Sequence, residues 1–220
     1  MIRAMLALLG AILISGCQSG DPLSAKNDPK SQWWELAFTE PDYMKVWVED
    51  SSVQDVTGKV FFRTGGGSAA GGEPEDGKES ARGWGGGVGG SGKTVVGADL
   101  PMRIFVRWQS IVEQKTYRAW VDIPEPARQL MASSTQQRCP QTPEREARFM
   151  ASVYLGLAPG GVVQVWMRDS CNHPVKVARA QAELEPLGPD QGKNEGRYAY
   201  PVSEKSKRYI NQYGIPYGSW

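Results

Sequence analysis

The sequence predicts a mainly β fold, an antiparallel sandwich or open barrel with one or two peripheral helices and a long glycine-rich loop. Three observations lead there. Short stretches rich in β-branched and aromatic residues recur along the chain, turn-forming residues separate them, and several alternate strictly in polarity. Neighbouring strands are close in sequence, which favours antiparallel pairing through tight connections.

In chain order, WWELAF (33–38) and YMKVWVED (43–50) read as strands separated by the turn TEPD, and GKVFFRT (58–64) as a third. RIFVRWQS (103–110) places Ile104, Val106 and Trp108 on one face and Arg103, Phe105 and Arg107 on the other. KTYRAWVDI (115–123) follows at once, so the intervening IVEQ is a hairpin connection. A helix is predicted over PEPARQLMASSTQQ (124–137), with a proline in its first turn and Ala127, Leu130, Met131 and Ser134 as its stripe. ARFMASVYLGLA (147–158), VVQVWMRD (162–169) and PVKVARAQAEL (174–184) complete the strands, the first two joined through the turn signal APGG. A last helix starts at Ser203 as N-cap and stops at Gly214. Most of the eight tryptophans fall inside these strands and are expected to fill the core.

The amino-terminal residues sit outside this pattern. MIR, eleven mostly apolar residues and SGC form an export signal, too short to span a bilayer as a stable helix. Ile14-Ser15-Gly16-Cys17 resembles the lipobox of bacterial lipoproteins, which implies removal of residues 1–16 and acylation of Cys17. Gln18 in place of Asp implies sorting to the outer membrane with the body facing the periplasm. Residues 17–31, rich in Ser, Pro, Asp and Lys, read as a tether, and 32–220 as one domain. The 25 basic and 24 acidic residues nearly cancel, so nothing suggests a nucleic-acid partner.

Residues 65–93 hold 13 of the 26 glycines and read as a flexible loop. Within it, GVGGSGKT (87–94) matches a phosphate-cradling loop letter by letter. That loop needs a hydrophobic strand before it and a helix opening at its Lys-Thr. ESARGWGG precedes it and VVGADLP follows, so both flanks are wrong and no nucleotide is expected.

Cys139 and Cys171 are expected to pair in an oxidising periplasm. The rival reading makes Cys171 a nucleophile with His173 as its base, but no third group orients them. One His and two Cys form no metal set, and no cofactor is implied.

GWGGG (83–87), LPMRIFVRWQSIVEQKTYRAWVDIP (100–124) and the closing YINQYGIPYGSW (209–220) together resemble the lipoprotein family catalogued as domain of unknown function 2931. Its most specific parts are Trp108, Gln109 and Ser110 followed by Glu113 and Tyr117, and then Pro216, Tyr217, Gly218 and Trp220. In size, anchoring and setting, members resemble the periplasmic immunity proteins that accompany lipase effectors of type VI secretion systems. From the residues themselves, Gln109 shares a face with Arg107, Glu113 sits in the hairpin, and a salt bridge or turn-stabilising hydrogen bond accounts for both. Trp220 is expected to close one end of the core.

The expected function is therefore binding without chemistry: a lipid-anchored domain that occludes another protein, such as a toxin acting on the envelope, with Trp84 and Arg82 of the glycine tract as candidate contacts. The alternative is an envelope lipoprotein holding a small ligand, glycan or lipid in an apolar pocket lined by Trp47, Trp108, Trp120 or Trp166.

Overall fold

The protein is described by a computed structural model covering residues 21–28, 33–75, 82–84, 88–90, 92–133, 136–147, 151–168, 171 and 173–220. The expected export signal, Cys17, and residues 18–20 and 29–31 of the expected tether lie outside the described residues.

Two sheets face each other and neither closes into a barrel. In chain order the strands are β1 (Trp34–Thr39), β2 (Val46–Asp55), β3 (Val60–Phe62), β4 (Gly67–Ser68), β5 (Lys93–Thr94), β6 (Pro101–Ser110), β7 (Lys115–Asp122), β8 (Ala151–Ala158), β9 (Val162–Arg168), β10 (Pro174–Gln181) and β11 (Glu183–Leu184). The first sheet has the order β10-β9-β8-β1-β5 and the second β11-β7-β6-β2-β3, with β4 also on β2. Two helices accompany them, α1 (Glu125–Ser133) and α2 (Glu204–Tyr213). Ser203 caps α2 by accepting from the Ser206 amide, and Gly214 ends it at φ 74°.

The core lies between the sheets because alternation along each strand directs one set of side chains inward. Trp34 and Leu36 of β1, Val153, Leu155 and Leu157 of β8 and Val163, Val165 and Met167 of β9 meet Val46, Val48, Ile104, Val106, Trp108 and Val121 from the second sheet. Ala127 and Met131 of α1 close the same core. Strand β8 is buried on both faces, as a central strand with a near-continuous apolar run should be.

The structure corrects the expected topology at one place. Strand β1 runs parallel to β8, from Trp34 opposite Ala151 to Thr39 opposite Gly156, although the two are far apart in sequence. All other strand pairs are antiparallel. A second refinement falls at Ala182, where the stretch read as one strand divides. Its first part pairs with β9 and its last two residues with β7, so the chain passes from one sheet to the other.

The glycine tract is also less slack than its composition implies, wherever it is described. Gly67 and Ser68 pair with Val48 and Trp47, and Ala70 exchanges backbone hydrogen bonds with Phe38 and Glu40. Lys93 and Thr94 lie opposite Leu36 and Glu35 in extended backbone, where a phosphate loop would open a helix. Farther upstream, residues 21–28 are docked on the body and do not form a free tether. Ser24 bridges to Gln137, Arg138 donates its amide to the Leu23 carbonyl, and Ala25 and Asp28 are buried.

Candidate functional site

The register of the strands sorts the molecule into two ends. Trp34, Asp99, Asp122, Ala151 and Arg168 lie at one, where the Trp34 indole donates to the Asp99 carbonyl. The β6–β7 hairpin, the turn after β8, the carboxyl terminus and α2 gather at the other, hereafter the distal end.

Every described motif residue expected from the sequence is at the distal end. Glu113, with its side chain 1% exposed, accepts from the Tyr117 and Tyr217 hydroxyls at 3.0 Å each and from the Gly160 amide at 3.1 Å, and Lys115 stands 3.6 Å away. Burial first, and then the Glu113 carboxylate, pushes the Tyr217 phenol up to about 12 and Tyr117 higher still. Gln109 donates to Glu49 Oε1 at 2.8 Å and accepts from the Ala199 amide at 2.7 Å. Glu49 also accepts from Arg107 and from the Asp190 amide. Glu113 thus has one near partner in the hairpin, Tyr117, and otherwise long-range ones, whereas both side-chain partners of Gln109 are far away in the sequence and could not be named from it. Trp108 and Ser110 face the core, and neither the indole N–H nor the hydroxyl finds a partner among the described residues. Pro216 and Gly218 bracket Tyr217 in the last turn, and Trp220 is buried with its indole donating to the Pro159 carbonyl.

Trp84 of the glycine tract has a seat on the first sheet. It is half-buried and stands edge-on to Trp166, ring centres 4.9 Å apart, over Gly156. A Cβ at Gly156 would lie 2.4 Å from Trp166 and 2.5 Å from Trp84, so the bare backbone of β8 is what admits the pair. Together with Val88, Trp84 covers Ala37, Tyr154 and Trp166 on the outer face of the first sheet. Arg82 beside it is exposed. Cys139 and Cys171 are joined, Cα atoms 5.0 Å apart, so Cys171 is not a thiol nucleophile for His173.

The four tryptophans of the expected apolar pocket do not converge. Trp108 is in the core between the sheets, Trp166 is buried on the outer face of the first sheet, and Trp47 and Trp120 lie on the outer face of the second. A distal recess of about 540 Å³ is instead an open groove between α2 and the glycine tract, lined by Glu40, Tyr43, Lys45, Glu73, Tyr200 and Lys205 among others. Tyr43 organises it from the left-handed region at φ 64°: its hydroxyl donates to the Pro74 carbonyl, its carbonyl accepts from Ser206, and its ring stacks on Tyr209. Glu40 accepts from the Val46 amide, and burial pushes its carboxyl up to about 8.

The two outer sheet faces differ in cover. That of the first is packed under Trp84, α2 and Trp220. On the second, residues 190–200 cover only the distal half, through Glu49, Gln109 and the Tyr200 ring against Trp47. The other half carries a cross-strand row Phe62–Ser52–Phe105–Trp120. Phe62 is 76% and Trp120 43% exposed, and the Arg103 guanidinium stacks 4.3 Å above the Trp120 ring while donating to Gln54. Beside Trp120 a recess of about 290 Å³ is lined by Arg107, Arg118, Glu183 and Glu185, whose charges pair with one another or with Glu49. Nothing in the sequence marked Phe62, because alternation alone does not say which outer face stays uncovered.

No helix among the described residues is long and apolar enough to cross a membrane, and no group of His, Cys, Asp and Glu among them could hold a metal ion. No curated protein and no solved structure matches the chain. The model of a family described as a protein of unknown function, DUF2931, matches residues 21–218, from the docked amino-terminal segment to the Glu113–Tyr217 knot, and the chain belongs to that family.

Proposed function

We propose that this protein is a non-catalytic binding protein of the bacterial envelope, anchored by lipid on Cys17 to the outer membrane with its body in the periplasm. Its task in this reading is to occlude another protein, and an immunity role against a lipase effector of type VI secretion suits the setting. The observation that carries the binding role is the open half-face of the second sheet. Exposed aromatic rings beside a stacked arginine are the side chains that dominate protein–protein binding energies, being large, rigid and amphipathic. The surrounding ion pairs supply a polar rim. The small-ligand alternative has less support, since the open groove is lined by charged groups and the tryptophans named for a pocket are dispersed.

The test is binding between the purified domain and the product of the adjacent gene. Trp120→Ala should weaken that complex by about 2 kcal/mol, roughly thirty-fold, because it removes both the ring and the seat of Arg103. Absence of binding by the unaltered domain, or equal affinity for the variant, refutes the reading.

A further inference from the structure

We infer that the domain rests on the bilayer by the end opposite the Glu113–Tyr217 knot, and that its short lipid connection fixes this orientation. The inference rests on the lipid-anchor reading of Cys17 and adds to it which surface meets the membrane.

The argument begins with chain length. Only Gln18, Ser19 and Gly20 separate Cys17 from Asp21 in the sequence. Four residue steps span at most about 14 Å even when fully extended. A tether of fifteen residues would have allowed the body to tumble, whereas this one cannot, provided Asp21 itself is fixed.

The structure fixes it. Asp28 is 5% exposed and receives Arg138 through both carboxylate oxygens, with the Ala147 amide donating at 2.6 Å. Leu23 and Ser24 are held by Arg138 and Gln137. The Cys139–Cys171 disulfide ties the same 137–147 segment to the chain leaving β9. The attachment point is therefore part of the rigid body.

That attachment lies at the end where β8 begins and where β1, β6 and β10 also begin. This end exposes apolar side chains in its turns and first strand residues, Val96 at 81%, Val56 at 46% and Met102 at 38%. Apolar residues on connections that close a sheet end gain nothing from water and gain from an interfacial bilayer region. The Glu40 groove and the Glu113 knot lie at the far end, about 26 Å away by the rise of the eight residues of β8. The aromatic row, beginning three residues into β6 from Met102, then faces sideways about 10 Å above the lipid surface. A partner that works on the bilayer would meet it at that height.

The experiment uses the full lipidated chain in phosphatidylethanolamine–phosphatidylglycerol vesicles that carry a fraction of doxyl-labelled lipid as quencher. A fluorophore is placed through Val96→Cys in one protein and Leu187→Cys in another, Leu187 being exposed at the distal end. Quenching several-fold stronger at 96 than at 187 is expected, and equal or inverted quenching overturns the inference. Insertion of twenty Gly/Ser residues between Gly20 and Asp21 should bring the two positions to similar, weak quenching. Persistence of the difference would overturn the role given to the short connection. Flotation separates the two readings: unaltered protein that fails to float with vesicles, like Cys17→Ala, removes the lipid anchor itself, whereas flotation without positional quenching removes only the orientation.

Discussion

Residues 21–28 and the carboxyl-terminal segment are fastened at opposite ends of the sandwich, each through a buried carboxylate, but with different partners. At the amino-terminal end Asp28 takes a guanidinium in fork geometry together with the Ala147 amide. At the distal end Glu113 takes two phenols and an amide, with Lys115 only at 3.6 Å. A charge met by a guanidinium is compensated by one long side chain that also reaches water. A charge met mainly by neutral dipoles needs all of them at once, so the distal knot should behave as a unit whose loss is felt through the hairpin, the β8–β9 turn and the terminal segment together. The comparison teaches that the amino-terminal segment is clipped on, whereas the carboxyl terminus is built in.

The largest expected effect is at the amino-terminal end, from the covalent staple behind the clip. The disulfide closes a 32-residue separation, and its loss in Cys139→Ser with Cys171→Ser should cost about 4 kcal/mol by chain-entropy arithmetic, read by denaturant unfolding. A loss below 1 kcal/mol would mean that the 137–147 segment is held by the Asp28 contacts alone.

Next comes the knot. Glu113→Ala strands two hydroxyls and an amide and should cost about 3 kcal/mol, whereas Glu113→Gln, which retains an acceptor, should cost roughly half of that. In both variants the Tyr217 phenol should titrate below its value of about 12, because the carboxylate that raises it is gone. Ultraviolet titration of the phenol reads this directly, and an unmoved Tyr217 would show that burial alone sets it.

Asp28→Asn should do less to global unfolding than Glu113→Ala. It should expose residues 21–28 to proteolysis while the sandwich stays folded, and equal protection in both proteins would place the segment inside the cooperative core.

Taken over any one pH unit, the smallest effect is pH-dependent and belongs to the distal groove. Glu40 titrates near 8 in the folded protein against 4.5 for an ordinary glutamate, chiefly through burial, so the folded state holds a proton that the unfolded chain has released. The stability tied to this group is complete below about 4.5 and is lost as pH rises toward 8, at up to about 1.4 kcal/mol per pH unit. In Glu40→Gln that slope should flatten across this window. An unchanged slope would assign the pH dependence elsewhere.

How far the sequence carries can be judged from particular residues. Alternation at Ile104, Val106 and Trp108 named the inward face of β6 correctly, since a half-buried strand writes its period into the chain. Ser203 and Gly214 marked both ends of α2 through capping chemistry that is local. The β1–β8 pair was not legible, because parallel partners brought together by a long crossover leave no short-range signal. The seat of Trp84 was not legible for a related reason. Composition made its surroundings look like slack chain, whereas the space over Gly156 that receives its ring exists only once β8 is central in a sheet. Glu113 was noticed and given a local hydrogen bond, but Tyr217 and Gly160 as further donors could not be read from spacing.

By itself the sequence determined the β class, most of the strands, the caps of α2 and the family, because each depends on residue types and patterns written along the chain, and it made Cys139–Cys171 an expectation that the structure bears out. Only the tertiary structure decided which faces are covered, that residues 21–28 belong to the body, and that Phe62 and Trp120 stand open beside Arg103. Coverage is a property of elements far apart in the chain competing for the same apolar surface, and no local rule of residue choice contains the outcome of that competition.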